Sequence, residues 1–278
     1  MHSKTFAILA LTEGLLAKET PVFADEFNFL DFTKWQHEIT MSGGGNWEFE
    51  MYGNNRTNSF VKEGVLHIQP TLAEDRFGFD TLRYGSVSLY GSSKADDCTS
   101  NQFWGCERSA AGSGNMVNPI QSARLRSFDS FAFKYGRMEI RAQLPKGDWI
   151  WPAIWLLPKH NAYGNWPASG EIDLVESRGN DASCETGGRN AFGSTLHYGP
   201  GWPFDAWDKA FAQHTSEVDL SDDFHLYGLE WTETGLRTTI DGVAVLDYPF
   251  DESNFKKGGF PDGLSNPWEG QANSAPFD

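Results

Sequence analysis

Three carboxylates lie close together in residues 170–176, which read Gly-Glu-Ile-Asp-Leu-Val-Glu. Retaining hydrolysis of a glycosidic bond requires such acids. One carboxylate attacks the sugar while a second, about 5–5.5 Å away, protonates the leaving oxygen. Acid-rich strands also occur on solvated sheet faces, at sheet edges and as calcium ligands. The heptad alone therefore leaves a catalytic and a structural role open.

The apolar residues between the acids favour a β-strand. Side chains alternate across a strand, so Glu171 and Asp173 point the same way and Glu176 would point the other way. One extra residue, a β-bulge at Leu174-Val175, would return Glu176 to the side of Asp173. We therefore predict a bulge there and three acids on one face, where their mutual repulsion would be costly unless function requires it.

Aromatic residues surround the heptad. Residues 151–157 (Trp-Pro-Ala-Ile-Trp-Leu-Leu) are an aromatic-flanked strand candidate, and Trp166 comes just before the acids. Residues 194–198 form a second strand candidate that carries His197. Sugar rings stack their C–H faces on aromatic side chains, so this combination of rings and acids is typical of a carbohydrate cleft.

A series of short motifs runs in order from about Phe23 to the last residue. They are Asp25-Glu26-Phe27, Lys34-Trp35, Gly45-Asn46-Trp47-Glu48-Phe49, the run from Asn58 to Gly64, Ser122-Ala123-Arg124-Leu125, Tyr135-Gly136-Arg137-Met138-Glu139, Trp151-Pro152-Ala153, the heptad, Thr195-Leu196-His197 and Tyr227-Gly228-Leu229-Glu230-Trp231. Together they resemble the laminarinase-like members of glycoside hydrolase family 16. The likeness is to the animal branch, which includes molluscan β-1,3-glucanases and the β-1,3-glucan recognition proteins of invertebrate immunity.

The resemblance implies a role for each acid. Glu171 matches the nucleophile and Glu176 the general acid/base. Asp173 matches a helper aspartate that shares a proton or hydrogen bond with the nucleophile. Neighbouring negative charge would raise the pKa of Glu176, which is the direction that a general acid needs.

Three tryptophans are candidate cleft residues. The resemblance favours Trp166 and Trp151 as sugar-stacking rings. Trp155 is also a candidate, although of the three it best fits an ordinary core residue.

Three polar residues are further candidates for substrate binding. His197 could orient a carboxylate or contact the substrate, whereas an isolated strand histidine is more often structural. Asn46 and Arg56 match positions that the family places near the glycone end of the cleft, and both residue types are also common in turns.

The resemblance implies an endo-acting, retaining hydrolase of laminarin-type β-1,3-glucan that works by double displacement. Recognition proteins resemble these enzymes in fold but typically lack one or both catalytic glutamates, and this chain has both. The alternatives are a non-catalytic β-1,3-glucan-binding recognition protein and a mixed-linkage β-1,3-1,4-glucanase. The resemblance implies that catalysis requires no metal or other cofactor. A structural calcium ion is compatible with the resemblance, but the sequence indicates no ligands for it.

Composition restricts the partners. Aromatic residues make up 14% of the 278 residues, and the net charge is −16. Neutralisation of phosphates by Lys and Arg would be missing, which argues against nucleic acid or an anionic membrane as partner. A neutral polysaccharide carries no such penalty. We expect a monomer.

The strand patterns predict an all-β fold. Apolar residues alternate with polar ones over residues 137–144, and Asp241-Gly242 is a strong hairpin motif. Residues 91–118 are rich in Ser, Gly and Asn and predict a long loop. Without a long amphipathic helix, residues 21–278 fit the jelly-roll β-sandwich that the family implies, with two antiparallel sheets and a concave cleft as in concanavalin A-like proteins.

The cysteine count is odd. Cys98 and Cys106 enclose a short polar loop, and a nearby pair in a secreted protein is more often bridged than free. We therefore predict a disulfide between them. Cys184 is then left as a free buried thiol, or as one whose partner lies outside this sequence.

The two ends of the chain carry separate expectations. Residues 1–20 resemble a signal peptide, because apolar runs follow Lys4, although Glu13 interrupts them. This predicts a secreted protein, and the alternative is a leader without a targeting role. At the other end, the family pattern continues beyond residues 273–278. We therefore expect missing C-terminal strands, marginal stability and reduced or absent activity of the chain in isolation.

Overall fold

The computed structural model describes residues 20–112 and 116–278. The leader predicted over residues 1–20 lies, except for Thr20, outside the described residues. The chain divides into two compact units, the first ending at Phe131 and the second beginning at Ala132. No helix among the described residues is long and apolar enough to cross a membrane.

The first unit consists of short strands and two short helices. Its elements are β1 (Gln36–His37), β2 (Glu50–Tyr52), β3 (Ser59–Lys62), β4 (Val65–Ile68), β5 (Thr71–Leu72), α1 (Glu74–Phe77), α2 (Phe79–Tyr84), β6 (Ser86–Ser88), β7 (Glu107–Ser109), β8 (Ile120–Ser122) and β9 (Leu125–Arg126), with 3₁₀ turns at Gly43–Gly45 and Gln102–Trp104. All of its ladders are antiparallel except β2–β8, which is parallel.

The loop predicted over residues 91–118 is not entirely irregular. Strand β7 lies within it and pairs with β6, with Val87 opposite Arg108. The predicted disulfide is confirmed, since Cys98 and Cys106 are bonded with their Cα atoms 5.5 Å apart. This bond closes the part of the segment that precedes β7. In the second unit, Cys184 is a free thiol and is half-buried rather than fully buried.

The second unit contains two four-stranded antiparallel sheets, ordered β11-β12-β13-β14 and β10-β15-β16-β17. Its elements are β10 (Gly136–Ala142), β11 (Ala153–Leu156), β12 (Glu171–Ser177), β13 (Ala191–His197), β14 (Phe211–Thr215), β15 (His225–Thr232), β16 (Gly235–Ile240), β17 (Val243–Pro249) and α3 (Asn254–Gly258), with a 3₁₀ turn at Trp207–Lys209. The strands predicted at residues 137–144, 151–157 and 194–198 are therefore confirmed to within a few residues.

The predicted hairpin joins β16 to β17. Its two turn residues, Asp241 and Gly242, have φ angles of 48° and 79°. Positive φ at both central positions is the geometry of a type I′ turn, which matches the right-handed twist of the strands that it connects. An aspartate followed by a glycine adopts this backbone at low cost, which is why the dipeptide predicted the turn.

The apolar core of the second unit lies between its two sheets. Ile172 and Leu196 contribute to it from one sheet, and Tyr227, Leu229 and Leu236 from the other. The fold class is confirmed as all-β, with antiparallel sheets in the jelly-roll arrangement expected from the sequence. Helices in the described part of the chain do not exceed six residues.

A buried polar link joins the two sheets through this core. The Ser194 hydroxyl donates to the Leu174 carbonyl oxygen at 2.7 Å. It also accepts a 2.9 Å hydrogen bond from Thr238 on the opposite sheet. Leu174 belongs to the predicted bulge, so its carbonyl needs a partner from outside the regular ladder.

We predict that Ser194→Ala lowers the free energy of unfolding by about 1–3 kcal/mol, because the buried Leu174 carbonyl loses its side-chain donor and the Thr238 hydroxyl loses its acceptor. Thermal and urea unfolding would measure the change. Ser86→Ala is the matched control, since Ser86 is exposed and its hydroxyl is bonded to another exposed serine. Equal stability of the two variants would contradict the assigned role of Ser194.

Candidate active site

The predicted bulge is present in β12. Asp173 lies opposite Thr195 and Glu176 opposite Gly193, so Leu174 and Val175 together face the single residue between those partners. Both bulge side chains are buried in the core. Because of the extra residue, the acids on either side of it share the other face of the sheet, as predicted.

The register places His197 and Trp155 on the same face as the acids. His197 is the partner of Glu171 on β13, and Trp155 is the partner of Asp173 on β11. Ile154 and Leu156, on either side of Trp155, pack against the core. The register therefore favours Trp155 as a cleft candidate over the alternative of an ordinary core residue. Alternation along β11 directs its half-buried ring to the acid face, and its contact with substrate stays a prediction.

Each of the two outer acids accepts a hydrogen bond from an indole. Trp166 Nε1 donates to Glu171 Oε2 at 2.6 Å, and Trp151 Nε1 donates to Glu176 Oε1 at 3.1 Å. The Trp166 and Trp151 side chains are still 37% and 51% exposed. The structure thus brings both predicted stacking rings to the acids with open surface left for a ligand.

His197 bridges two buried carboxylates. Its Nε2 lies 3.1 Å from Asp173 Oδ2, as an ion pair rather than a directed hydrogen bond. Its Nδ1 lies 2.6 Å from Asp205 Oδ2, and Asp205 also accepts the backbone N–H of Tyr198. The first of the two predicted roles, orienting a carboxylate, therefore has direct geometric support.

Burial and charge shift the pKa values of this cluster. Burial, together with the negative charge of Asp173, raises the pKa of Glu171 to about 8. The same two causes raise the pKa of Glu176 above its ordinary value. Burial alone would lower the pKa of His197, but Asp173 and Asp205 outweigh it and raise that pKa to about 10. Glu171 can therefore hold a proton near neutral pH beside a cationic imidazole, and the pKa of Glu176 is shifted in the direction that favours its protonated form.

Two residues of the site were not predicted from the sequence. Asp205 holds His197, and Trp202 places an exposed ring 5.9 Å from that of Trp166. Both lie in the loop that follows β13, where Gly201 forms an isolated bridge with Phe204. The Gly-Pro-Gly turn at residues 199–201 is the signal that could have placed Asp205 back beside His197.

Asn46 and Arg56 belong to the first unit. Asn46 is exposed and follows a 3₁₀ turn, where its backbone N–H bonds to the Gly43 carbonyl. The Arg56 guanidinium lies 3.1 Å from His37 Nε2 and over the ring of Phe32. Both therefore have structural partners within their own unit, and their contact with substrate stays a prediction.

One group of residues in the described chain could hold a metal ion. It comprises Glu171, Asp173 and His197, with one ligand atom of each lying within 4.8 Å of the others. Calcium prefers six to eight oxygen ligands, and this set offers two carboxylates and an imidazole. The set does not fit the structural calcium compatible with the family resemblance, and that calcium stays a prediction.

Comparison with known proteins supports this interpretation of the site. Residues 97–268 match the glycosyl hydrolases family 16. A beta-1,3-glucan-binding protein of Penaeus monodon is 46% identical over 259 residues, covering 92% of this chain and 70% of that protein. The chain belongs to glycosyl hydrolase family 16.

Two further relatives in this family carry the names of enzymes. A glucan endo-1,3-beta-glucosidase of Cryptopygus antarcticus is 29% identical over 91% of this chain and 74% of its own length. The solved laminarinase of Rhodothermus marinus is 27% identical, with a TM-score of 0.58 over 92% of this chain and 80% of that structure. The relatives of this chain thus include proteins named for glucan binding and proteins named for glucan cleavage.

We predict that Asp173→Asn lowers the pKa values of Glu171 and Glu176, because it removes the negative charge that helps to raise both values. Burial would still hold them above the ordinary range for glutamate. A ¹³C NMR titration of protein labelled at the glutamate carboxyls measures both values without requiring activity. Asp208→Asn is the control, since Asp208 is exposed and paired with Lys209. Unchanged glutamate pKa values in Asp173→Asn would contradict the electrostatic account.

Proposed function

We propose that the protein is an endo-acting, retaining glycoside hydrolase that cleaves β-1,3-glucan of the laminarin type. One observation carries the proposal. The bulge in β12 leaves Glu171 and Glu176 on a single sheet face, each with a raised pKa and each bonded to a partly exposed indole. Family membership supports the reaction class, and the relatives named as glucan-binding proteins and glucanases support the substrate class.

In the first step, the Glu171 carboxylate attacks the anomeric carbon while the Glu176 carboxylic acid protonates the glycosidic oxygen. The bond between the anomeric carbon and that oxygen breaks, and its electron pair stays with the leaving sugar. Glu171 is then joined to the remaining sugar by an ester bond. The raised pKa of Glu176 favours the protonated form that this step consumes.

Asp173 and His197 prepare the nucleophile. The raised pKa of Glu171 requires that its proton move away before the attack, and the adjacent Asp173 carboxylate is the acceptor that we propose. His197 faces Asp173, and Asp205 fixes the orientation of the imidazole. The imidazolium stabilises the negative charge that the pair carries between proton transfers.

In the second step, the Glu176 carboxylate removes a proton from water. The water oxygen attacks the anomeric carbon, and Glu171 leaves as a carboxylate. Two inversions at one carbon restore the original configuration, so the first product has the β configuration. Trp151 and Trp166 would stack on the sugars on either side of the reacting bond.

The alternative is a protein that binds β-1,3-glucan without cleaving it. The name of the Penaeus monodon relative favours this alternative, because that relative shares more sequence with the chain than the two enzyme relatives above do. A mixed-linkage β-1,3-1,4-glucan is the second substrate to test. For either function we propose that the protein acts outside the cell, where such polysaccharides are found, and as a monomer.

The decisive comparison is reducing-sugar release from laminarin by the wild type and by Glu171→Gln and Glu176→Gln. We predict that each substitution lowers kcat by at least about a hundredfold, since each removes a group that forms or accepts a bond in the transition state. Glu233→Gln is the matched control, because Glu233 lies exposed in the turn between β15 and β16. Its activity should equal that of the wild type.

Laminarin binding, measured in parallel by calorimetry, separates the two functions. A folded wild type that binds laminarin and releases no sugar from laminarin or mixed-linkage glucan would establish the binding protein. Activity that survives in Glu171→Gln would show that the nucleophile is assigned to the wrong residue. Circular dichroism of each variant confirms that a loss of activity is not a loss of fold.

A further inference from the structure

The acids and His197 also form a compact set of metal-ligand atoms. One oxygen from each of Glu171 and Asp173 and one nitrogen of His197 lie within 4.8 Å of one another. Asp173 is only 2% exposed, and its Oδ2 atom receives no hydrogen bond. That oxygen faces His197 Nε2 at 3.1 Å, so the imidazolium balances its charge in the free protein, and a bound metal ion could take over that role.

The nitrogen of His197 that points away from the acids also has a partner typical of metal-bound imidazoles. The Asp205 carboxylate, 2.6 Å from Nδ1, fixes the ring so that Nε2 points into the set. In metal sites, a carboxylate in this position orients the imidazole and makes it a stronger donor. The structure therefore supplies three donor atoms and the outer carboxylate that supports one of them.

The donor atoms select the kind of ion. One imidazole nitrogen and two carboxylate oxygens suit Zn²⁺, which takes three protein ligands and leaves its fourth position for water in open sites. Calcium and magnesium require more oxygen ligands than this set offers. The neighbouring indoles are partly exposed, so the fourth position would face the surface where a ligand can enter.

We propose that Glu171, Asp173 and His197 bind one Zn²⁺ ion reversibly and that the bound ion inhibits hydrolysis. On binding, the ion would displace the protons that His197 Nε2 and Glu171 hold, and it would occupy the carboxylate lone pairs with which Glu171 otherwise attacks the sugar. Inhibition rests on the proposed function, whereas zinc binding does not. Both are therefore tested separately.

The chain offers a matched control in a second histidine–aspartate pair. His225 Nδ1 lies 2.7 Å from Asp241 Oδ2, so this pair has the same inner geometry as His197 with Asp205. Among the described residues, no third histidine, cysteine or acid completes a set of ligand atoms with His225 and Asp241. It therefore lacks the two carboxylates that complete the proposed site.

Isothermal titration with zinc chloride, in a buffer that does not bind zinc, tests the binding. We expect one equivalent to bind the wild type, and His197→Gln and Glu171→Gln to bind at least tenfold more weakly. Asp205→Asn should weaken binding by about 10–100-fold through loss of the outer carboxylate. His225→Gln should bind like the wild type. Thermal unfolding without zinc identifies any variant that fails to fold, and Glu171→Gln keeps the test valid if His197→Gln does.

Titration with Co²⁺ gives a second readout, because its visible absorption reports nitrogen and oxygen ligands directly. No binding at millimolar Zn²⁺, or binding that is lost in His225→Gln and kept in His197→Gln, would overturn the site. Zinc that binds at this site without slowing laminarin hydrolysis by an active wild type would overturn the inhibition. If the wild type proves inactive on glucans, the proposed function fails, and the binding data still decide the site.

Discussion

Side chains alternate across a β-strand, and a β-bulge interrupts that alternation once in β12. Leu174 and Val175 together oppose the single residue Ser194, and both of their side chains enter the core. The extra residue restores Glu176 to the face of Glu171. Without it, a carboxylate would lie in the apolar layer between the sheets, where burial of an unpaired charge is prohibitively costly. The Ser194 hydroxyl satisfies the carbonyl that the bulge removes from the ladder, so the core and the acid face depend on the same irregularity.

The crowding that the bulge creates has an electrostatic cost. Burial and then the negative charge of Asp173 raise the pKa values of the two glutamates, because both disfavour a further carboxylate anion on this face. The cost is reduced by His197, which gives the set a positive charge, and by the two indole N–H groups. This balance of negative and positive charges allows one glutamate to be protonated while the other is ionised. A cluster that is unfavourable for stability is thus suited to acid and nucleophile chemistry.

Much of the second unit could be predicted because its patterns are local. The alternation over residues 137–144, the Asp241-Gly242 turn and the bulge each depend on a few adjacent residues. In the first unit, the parallel pairing of β2 with β8 and the pairing of β7 with β6 join segments that are distant in sequence. Such short strands carry little pattern of their own, so a propensity argument treats them as loop.

The candidate site was also predictable in part. The three acids and His197 followed from residue type and spacing, together with the family resemblance. For Trp155 the sequence left a cleft residue and a core residue open, and its position between two core residues of β11 favours the cleft. Asp205 and Trp202 were missed because they reach the site through an irregular loop, in which the Gly-Pro-Gly turn at residues 199–201 was not used as a signal.

The central claim is that Glu171 forms a bond to the sugar while Glu176 supplies the proton. A laminaribiosyl fluoride with fluorine at C2 of the reacting ring would test it most directly, because the second fluorine slows release of the covalent intermediate. Mass spectrometry of the digested protein then locates the sugar. The account predicts one adduct per chain, on Glu171. An adduct on Glu176 or Asp173, or no adduct in a chain that hydrolyses laminarin, would contradict it.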